Sequence, residues 1–142
     1  MAMNSLKDIY LDQLQDIWSA NTQSMAVVNE LGRAAQDKDL SEALIDGANG
    51  INDGINEIAK LCSDHGIAPN AEHCKGMEGL VKEARSHGIE EEITDPDARD
   101  AMIITQYQRM AHYAIAGYGC LEAFAKRLDL KDDAQKLQKC LD

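Results

Sequence analysis

The sequence predicts an all-α protein, an antiparallel helical bundle, and three observations carry that prediction. Apolar residues recur at three- and four-residue intervals along three stretches of about 30 residues each. Ser, Asp and Asn stand near the starts of helical segments, where a side-chain oxygen can accept from the first orphan amides. Only two prolines occur in 142 residues, and Ala, Leu, Asp, Glu and Gln are plentiful beside a hydrophobic content of 44%.

The first helix is expected to open at Ser5, with Asp8 completing a box-like cap, and to run to about Ala35. Its apolar line reads Leu6, Tyr10, Leu14, Ile17, Val28 and Leu31, with the polar Asn21 set into it. After the turn "QDKD", Asp39 with Glu42 is a second box-like start. That helix carries Leu44, Ala48, Ile51, Ile55, Ile58 and Cys62 and stops at Gly66. Gly47, Gly50 and Gly54 lie inside it, each costing up to about 1 kcal/mol relative to Ala, so a neighbouring backbone or bulky side chain is expected close by. Asn49, Asn52 and Asn56 occupy the adjoining stripe. A shorter helix capped by Asn70 carries Met77, Leu80, Val81 and Ala84 and ends near Gly88. Asp95-Pro96 starts the third long helix, with proline at the first helical position. Its expected apolar line is Ile104, Tyr107, Ala111, Ala114, Tyr118, Leu121, Ala125 and Leu128. Asp129 can cap a last segment that breaks off at Asp142.

A chain of this length is expected to form one domain over residues 1–142, with a core that needs no staples. No repeat, low-complexity tract or linker divides it. The formal net charge of −11 disfavours nucleic acid and anionic membrane surfaces, since both need a basic face. No apolar run approaches the ~20 residues of a membrane span. The N-terminus has neither a basic start nor an apolar core segment, so a cytoplasmic location is expected. The four cysteines (Cys62, Cys74, Cys120 and Cys140) are then expected to be reduced.

Several strings point to a family. "LKDIYLDQLQDIWSA", "HCKGMEGLVKEA", "DARDAMIITQYQRMAHYAIAGYG" and "LQKCLD" resemble the YciE/YciF-like family of small bacterial ferritin-like proteins. The likeness covers nearly the whole chain. It implies a ferritin-like bundle with a short extra helix pair, a homodimer, and a setting in bacterial stress responses. It also implies a di-metal carboxylate centre, in which several inward Glu and His side chains balance and bridge two cations. This chain departs from that pattern. The matching positions read Asn21 in the first helix, Asn49 and Asn52 in the second, and Ala111 and Ala114 around His112 in the third. The family's last helix continues into an acidic segment with further ligands, whereas this sequence ends at Asp142, so the fourth helix is expected to be cut short.

The residues themselves agree with a lost centre. Neutral amides and alanines would leave roughly four positive charges uncompensated in a low-dielectric core. The expectation is therefore no metal and no catalytic residue, with Asn21, Asn49, Asn52 and His112 as a possible polar cluster in the core. His112 is expected to pack at the edge of its helix or bond to a neighbouring one. The function expected is a non-enzymatic structural or interaction role, with the outward side of the glycine-bearing helix as a candidate surface. One alternative is an iron or manganese protein with oxidase or peroxide-scavenging activity, using substitute ligands such as Asp46, Asp53, Glu57 or His112. A second is a zinc-stabilised binding module built on Cys62, His65, His73 and Cys74, although His73 and Cys74 would diverge by about 100° on a helix. No phosphate loop, nucleophile elbow or H-E-x-x-H string is present. The four tyrosines are expected to be core or interface aromatics.

Overall fold

The structure, a computed structural model, describes residues 2–141. The chain forms helices α1 (Leu6–Ala34), α2 (Lys38–Asp64), α3 (Lys75–Arg85), α4 (Pro96–Arg127) and α5 (Lys131–Leu141), and a π-helical turn (Ser86–Glu90) continues α3. No strand occurs among the described residues. Helix α1 packs on α2, α3 and α4, while α5 packs on α4 and touches α2. The result is an antiparallel bundle in which α1 is the central helix and α3 is the added short one. The 11 described residues of α5 run along part of α4, which has 32. The expected break at Asp142 lies outside the described residues.

The helix starts show which local signals decided the fold. Ser5 accepts the Asp8 amide at 3.1 Å, and Asp95 accepts the Ala98 amide at 3.0 Å with Pro96 in the first turn. Three starts differ from expectation. Helix α2 is capped by Asp37, which accepts the Leu40 amide at 2.9 Å, so Asp39 lies inside the first turn. The reason is tertiary: Asp100 of α4 accepts the amides of Gln36 and Asp37 at 2.8 and 2.9 Å and thereby places the turn. Helix α3 is capped by the Cys74 sulfur, to which the Met77 amide donates, and not by Asn70, which is exposed in the preceding loop. Asp129 is likewise no cap. It takes φ 60° in the turn that closes α4, where the Leu130 amide reaches the Ala125 carbonyl at 2.8 Å.

Two apolar clusters form the core. One surrounds Val28, Leu31, Leu44, Met77 and Ile103, and the other surrounds Tyr10, Leu14, Ile58, Leu61, Leu121 and Leu137. Removing a large side chain from either costs about 2–5 kcal/mol. The upper half of α4 turns differently from the expected line: Ile103 is fully buried and Ile104 is 45% exposed. The core there is completed by Ile103, Gln106 and Met110, one residue out of step with the predicted Ile104 stripe. The glycines of α2 are explained at two of three positions. A Cβ at Gly47 would lie 3.2 Å from the Tyr107 hydroxyl, and one at Gly54 would lie 2.7 Å from the Tyr118 hydroxyl. Gly50 meets nothing within 4 Å.

Candidate functional site

Between the two apolar clusters the bundle carries a polar layer. Asn21 of α1 is 2% exposed and donates its side-chain amide to the Tyr118 hydroxyl of α4 at 2.6 Å. Asn21 sits there because the α1 stripe returns to the bundle axis at this position, one turn after Ile17. Gly54 of α2 leaves room for the Tyr118 hydroxyl, and the Cys140 thiol of α5 and the Glu57 carboxylate complete the surroundings. Burial is the main cause that raises the Tyr118 phenol, and Asn21 acts in the opposite direction by favouring the anion. The Cys140 thiol is raised first by burial and then by Glu57. Both groups therefore hold their protons at neutral pH.

A second constellation stands beside it. The Tyr113 hydroxyl donates to Asp16 at 2.9 Å and lies 2.9 Å from the Cys74 sulfur. A phenol has one proton to give, so the thiol donates to Tyr113. The Cys74 amide is held by Ser19 and its carbonyl by Gln23. Cys74 is 1% exposed, and burial raises its thiol, with the amide of Met77 that donates to the sulfur acting in the opposite direction. A buried, protonated thiol is a poor nucleophile.

A third group ties the lower end together. Asp133 of α5 accepts from Tyr10 of α1 at 2.8 Å and faces the His65 Nε2 at 2.7 Å. The Tyr10 and His65 rings meet edge to face with centroids 5.9 Å apart. This group is a joint of three helices. Nothing in the spacing of Tyr10, His65 and Asp133 announced it, because each residue belongs to a different segment.

The expected polar cluster is corrected in three of its four members. Asn49 and Asn52 lie on the exposed side of α2, turned from the axis by the helix rotation that buries Ala48 and half-buries Ile51. His112 is exposed and binds the Gln108 carbonyl of its own helix at 2.8 Å, not a neighbouring helix. Only Asn21 is in the core, and its partner Tyr118 was expected only as a core aromatic. Ala111 and Ala114 are half-buried on α4. The four candidate zinc ligands do not converge. Cys62 is buried in the lower core and burial pushes its thiol up to about 11, His65 serves Asp133, His73 is an exposed partner of Glu78, and Cys74 caps α3.

Chemically, the polar layer does not fit a di-metal centre. The donors that face it are an amide, a phenol and a thiol that keep their protons, with one half-buried carboxylate, Glu57, at the edge. Two divalent cations need several carboxylates to offset their charge in such a setting. Of the substitute ligands, Asp46, Asp53 and His112 are exposed, and no three His, Cys, Asp or Glu side chains converge among the described residues. The layer is instead a satisfied hydrogen-bonded insert. No buried side-chain nitrogen or oxygen lacks a partner among the described residues. No helix there is long and apolar enough to cross a membrane.

This geometry defines an all-helical bundle protein whose centre is closed by hydrogen-bonded side chains. The chain belongs to the family described as a domain of unknown function, DUF892, whose model matches residues 5–142. It is 29% identical over 145 residues to protein YciF of Escherichia coli strain K12, covering all of this chain and 85% of that one. The crystal structure of the E. coli stress protein YciF superposes with a TM-score of 0.89 at 28% identity, covering 98% of this chain and 87% of the other. YcfI of Rhodopseudomonas palustris, provisionally designated a structural protein, matches equally well, with a TM-score of 0.89, 30% identity and coverage of 97% and 87%.

Proposed function

We propose that this chain is a metal-free, non-enzymatic ferritin-like protein that acts as a structural or interaction module, as a homodimer, in the bacterial cytoplasm under stress. The observation that carries the reading is the Asn21–Tyr118 pair, a neutral hydrogen bond at the level where a di-metal protein would need inward carboxylates. An unpaired carboxylate buried there would be costly, so loss of charge from several helices together is what a stable metal-free bundle requires. The likeness to a stress protein and to a relative with a provisional structural designation supports the setting.

Metal analysis tests it directly. Protein produced in medium supplemented with iron, manganese and zinc is expected to retain far less than one metal ion per chain. About two iron or manganese atoms per chain would overturn the reading in favour of an oxidase or peroxide scavenger. One zinc per chain, with a lower melting temperature after chelation, would favour the zinc-stabilised module. Light scattering is expected to return twice the mass of the 15.6 kDa chain.

A further inference from the structure

Where the π-helical turn closes on the outer edge of α1 there is a cleft of about 490 Å³, within the range of small-molecule sites. Ala34 and Ile89 supply its apolar lining, and Glu30, Arg33, Arg85 and Glu90 line the rest. Both walls belong to the α1–α3 side of the bundle, whereas α5 packs on α4 and touches α2. The π-helical turn brings Glu90 to this cleft. Its closing bond spans five residues, from the Glu91 amide to the Ser86 carbonyl at 2.8 Å. Each residue therefore turns through less than in an α-helix, and Glu90 comes round toward the Arg85 face. Arg99 fixes that wall by donating to the carbonyls of Gly88, Ile89 and Glu91.

Charge decides what suits the cleft. Glu30 accepts from Arg85 Nε at 2.9 Å and from Nη2 at 3.5 Å, which leaves the Nη1 donors uncommitted. A half-exposed pair of this kind contributes little to stability, so its effect is placement of the guanidinium. Arg33 makes no ion pair or side-chain hydrogen bond among the described residues, whereas Lys38, Lys82, Arg109 and Lys126 each hold a carboxylate. Glu90 is exposed and likewise has no side-chain partner among the described residues. The cleft thus offers donors at Arg33 and Arg85, a carboxylate at Glu90, and apolar surface at Ala34 and Ile89. A simple anion suits it poorly, because Glu30, Glu90 and the net charge of −11 all oppose it. A zwitterion satisfies both signs.

We propose that this cleft binds a small zwitterion with an apolar arm, of the class of short apolar peptides. The ligand's carboxylate would take Arg33 and the Nη1 donors of Arg85, and its ammonium would take Glu90. Its side chains would cover Ala34 and Ile89. The site goes beyond the structural-module reading and does not depend on it, since metal content and peptide binding are measured independently.

The test titrates leucyl-leucine into the full chain and follows the backbone amide signals by NMR. Signals of residues 30–34 and 85–90 are expected to shift and to saturate by about 10 mM. Leucyl-leucine amide lacks the carboxylate, N-acetyl-leucyl-leucine lacks the ammonium, and glycyl-glycine lacks the apolar arm. Each is expected to bind at least about fivefold more weakly. Arg33→Gln is expected to weaken leucyl-leucine by about fivefold or more while leaving the amide unchanged. Glu90→Gln is expected to weaken leucyl-leucine while leaving the N-acetyl peptide unchanged. Both positions are exposed, and unchanged melting temperatures check the fold. Absence of saturable shifts at these residues would overturn the proposal, as would an equal loss on the intact and the matched truncated peptide. Saturation by inorganic phosphate at equal or lower concentration would overturn it in favour of an anion site. A fall in solution mass with Arg33→Gln would assign the cleft to a contact between copies and overturn it equally.

Discussion

Asp129 holds a left-handed backbone conformation at φ 60°, and Gly66 does the same at φ 73° at the end of α2. Both close their helices with the same six-to-one bond, Leu130 to Ala125 and Ile67 to Cys62. The glycine takes this conformation without a Cβ penalty, and the aspartate takes it at a cost. Asp129→Gly is therefore expected to raise stability by about 0.5–1 kcal/mol, and Gly66→Ala to lower it by about 1 kcal/mol, both read from urea midpoints. At Asn21 the cost lies in an orphaned amide. Tyr118→Phe is expected to destabilise by about 1–3 kcal/mol, and Asn21→Leu in the same background to restore part of the loss. If the double variant is no more stable than Tyr118→Phe alone, the hydrogen bond is not what the layer depends on. Asn21 could be picked out from the sequence because it interrupts an apolar stripe. Its partner could not, since Tyr118 lies 97 residues away and looks like any core tyrosine.

The helices were legible where their signals are local. Ser5 with Asp8 and Asp95-Pro96 mark starts that the structure reproduces, and Gly66 marks a stop. The signals that failed depend on contacts far along the chain. The start of α2 is set by Asp100, and the sulfur that caps α3 is a residue type seldom counted as a cap. The upper turn of α4 slipped by one residue because Ile103 and Ile104 are adjacent and equally apolar, and only packing against Leu31 and its neighbours chooses between them. The described residues of α5 are tied to the bundle by docking. Its first turn is held by Asp133, which serves both Tyr10 and His65. Asp133→Ala is expected to speed amide exchange across residues 131–141 while exchange in the lower half of α1 changes little. Uniform acceleration throughout the chain would show instead that α5 opens only with the whole bundle.

At the scale of the molecule, one consequence of the buried thiols and phenols concerns alkali. Burial raises Cys62 to about 11 from its ordinary value of 9.0, so the native state keeps a proton that the unfolded chain releases earlier. Its contribution is fully present below pH 9 and is lost as the pH rises through about 11. Stability is expected to fall across that window, and Cys62→Val is expected to flatten the fall in urea titrations at several pH values. Buried Tyr10 and Tyr118, raised in the same direction, extend the loss to higher pH. The all-helical class and the family were readable from the chain as a whole. The site was legible only in part: Asn21 stands out as a polar residue in an apolar stripe, while its pairing with Tyr118 is a matter of three-dimensional placement.

Arg99 and Asp100 are neighbours in the first turns of α4, yet they serve backbone of opposite polarity in two different loops. The Arg99 guanidinium donates to the carbonyls of Gly88, Ile89 and Glu91, while the Asp100 carboxylate takes the amides of Gln36 and Asp37. One event, the arrival of α4's amino end, therefore completes both the α1–α2 turn and the tail of the π-helical segment. The consequence is linkage: the upper end of the bundle is joined through a dipeptide that contributes nothing to the apolar core, so a displacement of α4's amino end would disturb both loops together.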